Sequence, residues 1–262
     1  MQRPQLFQPK AIDPAFVLVT GADKSHAKSL VQLLTTIRRH EPRLKVVVYD
    51  LGLSRIQRWN ALQAFPCQLR KFRYDLYPPF LDIRVNRGEY AWKPVLINEV
   101  AAHYNGIVCW MDAGNMLVDD LSRLRAFVHE HGFYSPRSSG TVANWTHPGM
   151  LDWLGVPDGW DGAARRNLNA ACVAFKTSDP KALAVITEWG RLALMKECIS
   201  PLGSSRKNHR QDQALLTILA YRSGLLDEPS KEMLGFRTHA DSRLRRRPVD
   251  GEKICRSEAP NS

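Results

Sequence analysis

Two periods of hydrophobicity run through this chain. Short, almost wholly apolar segments at 16–20 (FVLVT), 45–50 (KVVVYD) and 106–111 (GIVCWM) predict strands with both faces buried, the habit of parallel sheets covered by helices. A fourth segment, 67–72 (CQLRKF), has the length of a strand. Between them the spacing turns helical: from GADKSHAKSL to about His40, over about 55–63, and through WKPVLINEVAAHY, where Pro94 falls in a first turn and is tolerated. The segment 77–90 (YPPFLDIRVNRGEY) carries prolines without periodicity and reads as a loop over the site. Beyond it the second half is less regular. It predicts helices at about 119–131, 180–196 and 209–221, short strands at 170–175 and 233–236, and a Trp/Pro/Gly-rich stretch at 145–160. The alternation predicts an α/β fold, a mainly parallel sheet flanked by helices, with ligands held beyond the strands' carboxyl ends. TGAD (20–23) and MDAGN (111–115) lie on that edge. No repeat or linker divides the chain, which reads as a single domain over 1–262.

Composition narrows the function classes. Hydrophobic residues make up 44% and charged residues 24%, the balance of a folded globular protein rather than a disordered one. A net charge of +11 points to polyanionic partners: nucleotide phosphates, nucleic acid or an anionic membrane. Part of the excess is local, in RLRRRP at 243–248, and Lys and Arg otherwise read as scattered among acids. No basic stripe with interleaved aromatics is evident, so no nucleic-acid partner is expected. The five cysteines are odd in number, far apart and without metal spacing, which fits free thiols in a reducing compartment. No apolar segment approaches the roughly 18 residues of a membrane span, and the start of the chain lacks a signal-like run. A cytoplasmic protein is expected, with Arg243–Arg247 in the tail able to hold it at a membrane surface.

Several residues carry candidate chemistry. GADKSHAKS is no P-loop: His26 stands where the second glycine is needed, and Lys28 falls one residue late. Thr20, Gly21 and Ala22 are small enough for a flat base to lie against the backbone, or they form an ordinary strand-to-helix turn. Asp112, delivered by a strand and followed by Ala113 and Gly114, either caps that turn or contacts a cation shared with phosphates. Asp119 and Asp120 read better as caps of the helix that follows. Asn208 and Gln211 have the spacing of a capping box, which places Asp212 in the first or second turn of a rigid helix. There it either favours the helix dipole or stabilises positive charge on a sugar. Lys93 is set at a helix start near the cleft, either to neutralise a pyrophosphate or to be solvated. His239 follows the last predicted strand.

The order YAWKP, VCWMDAG, NLNAACVAF, RQDQALLTIL and GFRTH, after VLVTGAD and VVVYDLGL, resembles the nucleotide-diphospho-sugar transferases of the GT-A fold, nearest to the glycogenin-like group. The likeness spans about 16–239. It implies a nucleotide-binding half over about 16–112, an acceptor half over about 113–240 and a basic tail at 243–262. It also implies a sugar-nucleotide-dependent hexosyltransferase, with a UDP-sugar donor and a hydroxyl acceptor in a glycan, lipid-linked molecule or protein, and retention at the anomeric carbon. Thr20, Gly21 and Ala22 would line base and ribose, and Lys93 would face the diphosphate. Asp112 and His239 would hold Mn2+ or Mg2+. Asn169, Asp212 and Gln213 would face donor and acceptor sugars. Two departures stand out: Gly114 replaces the second acid of Asp-x-Asp, and Ala171 replaces a glycine after Asn169. Two other classes stay open, a non-catalytic polyanion-binding protein and a nucleotidyltransferase, although the latter wants a glycine-rich loop that TGADKSHAKS lacks.

Overall fold

The computed structural model describes residues 15–241, so the arginine-rich tail and Cys255 lie outside the described residues. Among the described residues, ten strands and nine α-helices follow one another. They are β1 (Phe16–Ala22), α1 (Ala27–His40), β2 (Lys45–Asp50), α2 (Arg55–Ala64), β3 (Gln68–Lys71), α3 (Trp92–Ala101), β4 (Ile107–Met111), β5 (Met116–Leu117), α4 (Ser122–His131) and β6 (Phe133–Tyr134). After them come β7 (Arg137–Thr141), α5 (Val142–Trp145), α6 (Pro148–Trp153), β8 (Arg166–Leu168), β9 (Cys172–Lys176), α7 (Pro180–Leu192), α8 (Lys196–Ile199), α9 (Gln211–Arg222) and β10 (Phe236–Arg237).

The central sheet has the order β3-β2-β1-β4-β9-β6. Its first four strands run parallel, and β9 returns antiparallel beside β4. The expectation of a mainly parallel α/β sheet holds. Alternate side chains explain why the strands are apolar throughout. Val17, Val19, Tyr49 and Trp110 pack towards α3, α7 and α9, whereas Phe16, Leu18, Val48 and Met111 pack towards α1 and α4. Among the described residues no helix is long and apolar enough to cross a membrane.

Local chemistry sets several ends. Ser54 and Gln57 form a capping box at α2, and Asp179 caps α7 with Pro180 in its first turn. At α4 the Asp120 carboxylate accepts from the Ser122 amide, although Leu121 occupies the cap. The capping box expected at Asn208 and Gln211 does not form. Asn208 Oδ1 accepts from the Ser205 amide at 2.7 Å, and the Gln211 side chain reaches Glu89. The stretch 77–90, predicted as a loop, contains short 3-10 turns.

Chain reversal after β4 matters most for the site. β5 pairs antiparallel with β10, Leu117 opposite Phe236, and the Ala240 amide donates to the Gly114 carbonyl at 2.8 Å. The last described residues are thereby laid against the turn that carries Asp112.

Candidate active site

A cavity of about 880 Å3 opens at the carboxyl edge of the parallel strands. Its floor is an ion cluster. Lys93 projects from the first turn of α3 and is only 4% exposed. Its Nζ lies 3.1 Å from Asp112 Oδ1, 3.0 Å from Asp212 Oδ2 and 3.3 Å from the Ala170 carbonyl, which it donates to. Burial presses the ammonium's pKa down, yet the two carboxylates outweigh it and hold it above the usual lysine range. The Asp212 carboxyl is pushed up by burial and by Asp112, against the pull of Lys93. Trp110 Nε1 also donates to Asp112 Oδ1 at 2.7 Å, and the Lys93 ammonium stands 5.6 Å above the Trp110 ring. The turn after strand β4, helix α3 and helix α9 each contribute one charge, so the cluster exists only when all three pack.

The second acid of Asp-x-Asp is not merely missing. A Cβ at Gly114 would stand 2.9 Å from Asp241 Oδ1, so a buried carboxylate from the far end of the fold fills that side-chain space. Ser29 Oγ donates to Asp241 Oδ2 at 2.7 Å and helps fix it there. Among the described residues no set of three or more His, Cys, Asp or Glu is arranged to hold a metal. Asp112 and His239 both line the cavity, but Asp112 Oδ1 already serves Lys93 and Trp110. Among the described residues there is no all-protein cage for a divalent cation, so Asp112 and His239 would hold one only together with a ligand's phosphates.

Positive charge is instead concentrated at the rim. Arg87, Arg206 and Arg210 line the cavity, and among the described residues none of them has a carboxylate partner within ion-pair distance. Arg206 donates to the Tyr90 hydroxyl and stacks on its ring, and Arg210 lies 4.0 Å from the Trp145 ring centroid. Burial, then Arg206, lower the pKa of the Arg210 guanidinium, as two cations facing one opening must. Such planar, aromatic-backed guanidiniums suit phosphate oxygens.

The rim turn is strained. Asn86, Arg87, Gly88, Glu89 and Tyr90 all have positive φ, a left-handed turn that costs L-residues about 1–2 kcal/mol each. Buried Glu89 accepts from Asn86 Nδ2 at 2.6 Å and helps hold it. A Cβ on Gly88 would stand 2.2 Å from the Leu81 carbonyl oxygen. Gly88→Ala is therefore expected to cost about 2–4 kcal/mol in urea unfolding.

His209 anchors the chain that enters α9. Its Nδ1 accepts from the His147 amide at 3.2 Å and its Nε2 faces the Ile199 carbonyl at 3.0 Å, an arrangement that needs the neutral Nε2–H ring. Burial lowers its pKa from 6.5 to about 4. Between those values the unfolded chain takes up a proton that the folded protein refuses, so stability falls as pH drops from about 6.5 to 4. The loss from pH 7.5 to pH 5 is expected to be about 2 kcal/mol, and His209→Gln should remove that slope in unfolding titrations.

Comparisons with known proteins bear on the architecture. A family described as "Protein of unknown function (DUF1647)" matches residues 2–98. No curated protein matches the chain. Core-mannan synthase A from Aspergillus fumigatus, solved in an Mn/GDP form, superposes with a TM-score of 0.54 at 7% identity over 79% of this chain and 69% of that one. The mannosyltransferase Ktr4p of S. cerevisiae gives 0.52 at 9% identity over 81% and 67%. An active-site mutant of LgtC gives 0.51 at 16% identity over 78% and 70%. This is the GT-A fold. The chain spans 40% of the bifunctional glycosyltransferase WbbM, which it also matches, with a TM-score of 0.48.

On this GT-A sheet, Gly21, Ala22, Lys93, Asp112, Asn169, Asp212, Gln213 and His239 all line the one cavity. Thr20 does not. Strand alternation turns its side chain into the sheet's interior, fully buried, opposite Val48. Lys93 is neither solvated nor at the rim but sealed between two acids. Asn169 Oδ1 accepts from the Ala171 amide at 3.1 Å, and Gln213 Oε1 accepts from the Ala170 amide at 3.4 Å, so both brace the 169–171 backbone. Sequence reasoning missed the rim arginines, which sit in aperiodic segments. Arg206 and Arg210 are set against Tyr90 and Trp145, contacts that are not local in the chain.

Proposed function

We propose that this protein is a glycosyltransferase that moves a hexose from a nucleotide-diphosphate sugar, a UDP-sugar, to a hydroxyl acceptor with retention of configuration. One observation carries the reading: the Asp112–Lys93–Asp212 cluster on the floor of a cavity ringed by guanidiniums, at the edge where GT-A sheets open. The nucleotide lies against the 16–112 side, its base along Gly21 and Ala22, and the acceptor enters over 113–240. Arg87, Arg206 and Arg210 take the charge of the departing diphosphate, the electrostatic role that otherwise falls to a metal. Asp212, fixed by Lys93, faces the positive charge that builds at the anomeric carbon, and Gln213 and Asn169 position the sugars. The acceptor hydroxyl oxygen forms the new glycosidic bond as the bond from the anomeric carbon to the bridging phosphate oxygen breaks, and its proton leaves with the nucleotide diphosphate.

A thermal-shift series with UDP and UDP-sugars, in Mn2+ and in EDTA, tests the reading. Stabilisation is expected in both, and Arg206→Ala with Arg210→Ala should abolish it. A shift seen only with Mn2+ and lost in Asp112→Asn would instead assign the diphosphate to a cation on Asp112 and His239. No shift with any nucleotide sugar would defeat the proposed activity.

A further inference from the structure

The basic charge is not scattered. Residues 24–74 hold eleven Lys and Arg against two acids, a net +9 of the chain's +11. Both acids are consumed in ion pairs, Asp50 with Arg58 and Glu41 with Arg125, each at 2.6 Å. Helices α1 and α2 contain no acidic residue. With Arg58 paired to Asp50 and Arg73 to Asp75 just beyond the segment, the surface of this segment still presents an excess of positive charge.

Helix α2 crosses that surface with its apolar side outward. It buries only Ala61, while Ile56 is 73% exposed, Trp59 61% and Leu62 42%. Their i, i+3, i+6 spacing sets all three on one face. Gln57 Nε2 donates to the Lys24 carbonyl at 3.1 Å, and Arg38 Nη2 donates to the Gln63 carbonyl at 2.7 Å. Basic residues thus stand at both ends of the apolar row, and Arg55 lies exposed at the helix start. An indole and two aliphatic side chains within a basic rim match the boundary between lipid headgroups and acyl chains.

We propose that α2 and its basic surround form a docking face for an anionic lipid bilayer, with Ile56, Trp59 and Leu62 entering the headgroup boundary. The face shares no residue with the cavity lining or with the 243–262 tail, and the inference holds whatever reaction the cavity performs. Aliphatic side chains beside the tryptophan favour lipid over nucleic acid, whose binding sites stack bases on aromatics.

Co-sedimentation of the full chain with phosphatidylglycerol/phosphatidylcholine vesicles and with pure phosphatidylcholine vesicles tests it. Binding is expected only to the anionic vesicles, weakening as salt is raised. The triple variant Ile56→Ser, Trp59→Ser, Leu62→Ser should melt at the same temperature and lose at least tenfold in partitioning. Replacing Arg243, Arg245, Arg246 and Arg247 by Gln should leave most binding intact. Equal binding by the triple variant, or no preference for anionic vesicles, overturns the proposal. Salt-sensitive binding to single-stranded RNA without vesicle binding overturns it in favour of nucleic acid.

Discussion

Lys93→Met is expected to destabilise the protein by about 3–5 kcal/mol, the cost of leaving buried charge unpaired. Lys93 neutralises two carboxylates at once, at 3.1 and 3.0 Å, and one of them, Asp212, is only 5% exposed. Methionine keeps the volume and the contact with Trp110 but removes the cation. Asp212 is then a buried carboxylate without its cation, and burial drives it to take up a proton to fold. The double variant Lys93→Met, Asp212→Asn should recover a good part of the loss, because it also removes the stranded charge. Urea unfolding of both variants checks this. A single variant as stable as the parent would mean that the cluster holds no structural charge balance.

Asp212→Asn is expected to lower the turnover of UDP-sugar, read as transfer or as slow hydrolysis, by about 10²–10³-fold, the range for removing one preorganised electrostatic group. The amide retains the shape and leaves the Lys93 ammonium paired with Asp112. The Asp212 backbone carbonyl still accepts from Trp189 Nε1 at 2.9 Å, so the start of α9 stays in place. Nucleotide affinity should change little, since the diphosphate is assigned to the rim arginines. A fall in nucleotide affinity with unchanged turnover would move Asp212 from the reacting centre to the donor's binding site.

These effects differ in how far the residues alone foretell them. Strand β2 spans Lys45–Asp50, the bounds read from the sequence, because a strand buried on both faces must be apolar through its interior, here Val46–Tyr49. Asp112 and Asp212 were also legible, as single acids at the ends of periodic segments. Thr20 was misplaced for a reason equally local: the strand runs on to Ala22, and alternation points Thr20 inward. The left-handed turn at 86–90 was not legible, since Asn-Arg-Gly-Glu-Tyr has one glycine for five positive φ values. The Asn86–Glu89 bond inside the turn, and contacts from Trp92 and Gln211 outside it, help hold the other four residues there.

The amino-acid order determined the sheet, its carboxyl edge and the acids offered to that edge, because side chains alternate in strands and recur in helices with fixed periods. Packing decided what those acids do. Lys93 meets Asp112 and Asp212 only when α3, β4 and α9 converge, and that convergence turns a lysine read as either a pyrophosphate partner or a solvated side chain into a buried counter-ion. Gly114 looked like a lost ligand. The fold places the Asp241 carboxylate, held by Ser29 from the opposite end of the chain, in the space where that side chain would stand. Neither arrangement has a periodic signature, since each depends on residues far apart in sequence that only the closed tertiary structure brings within bonding distance.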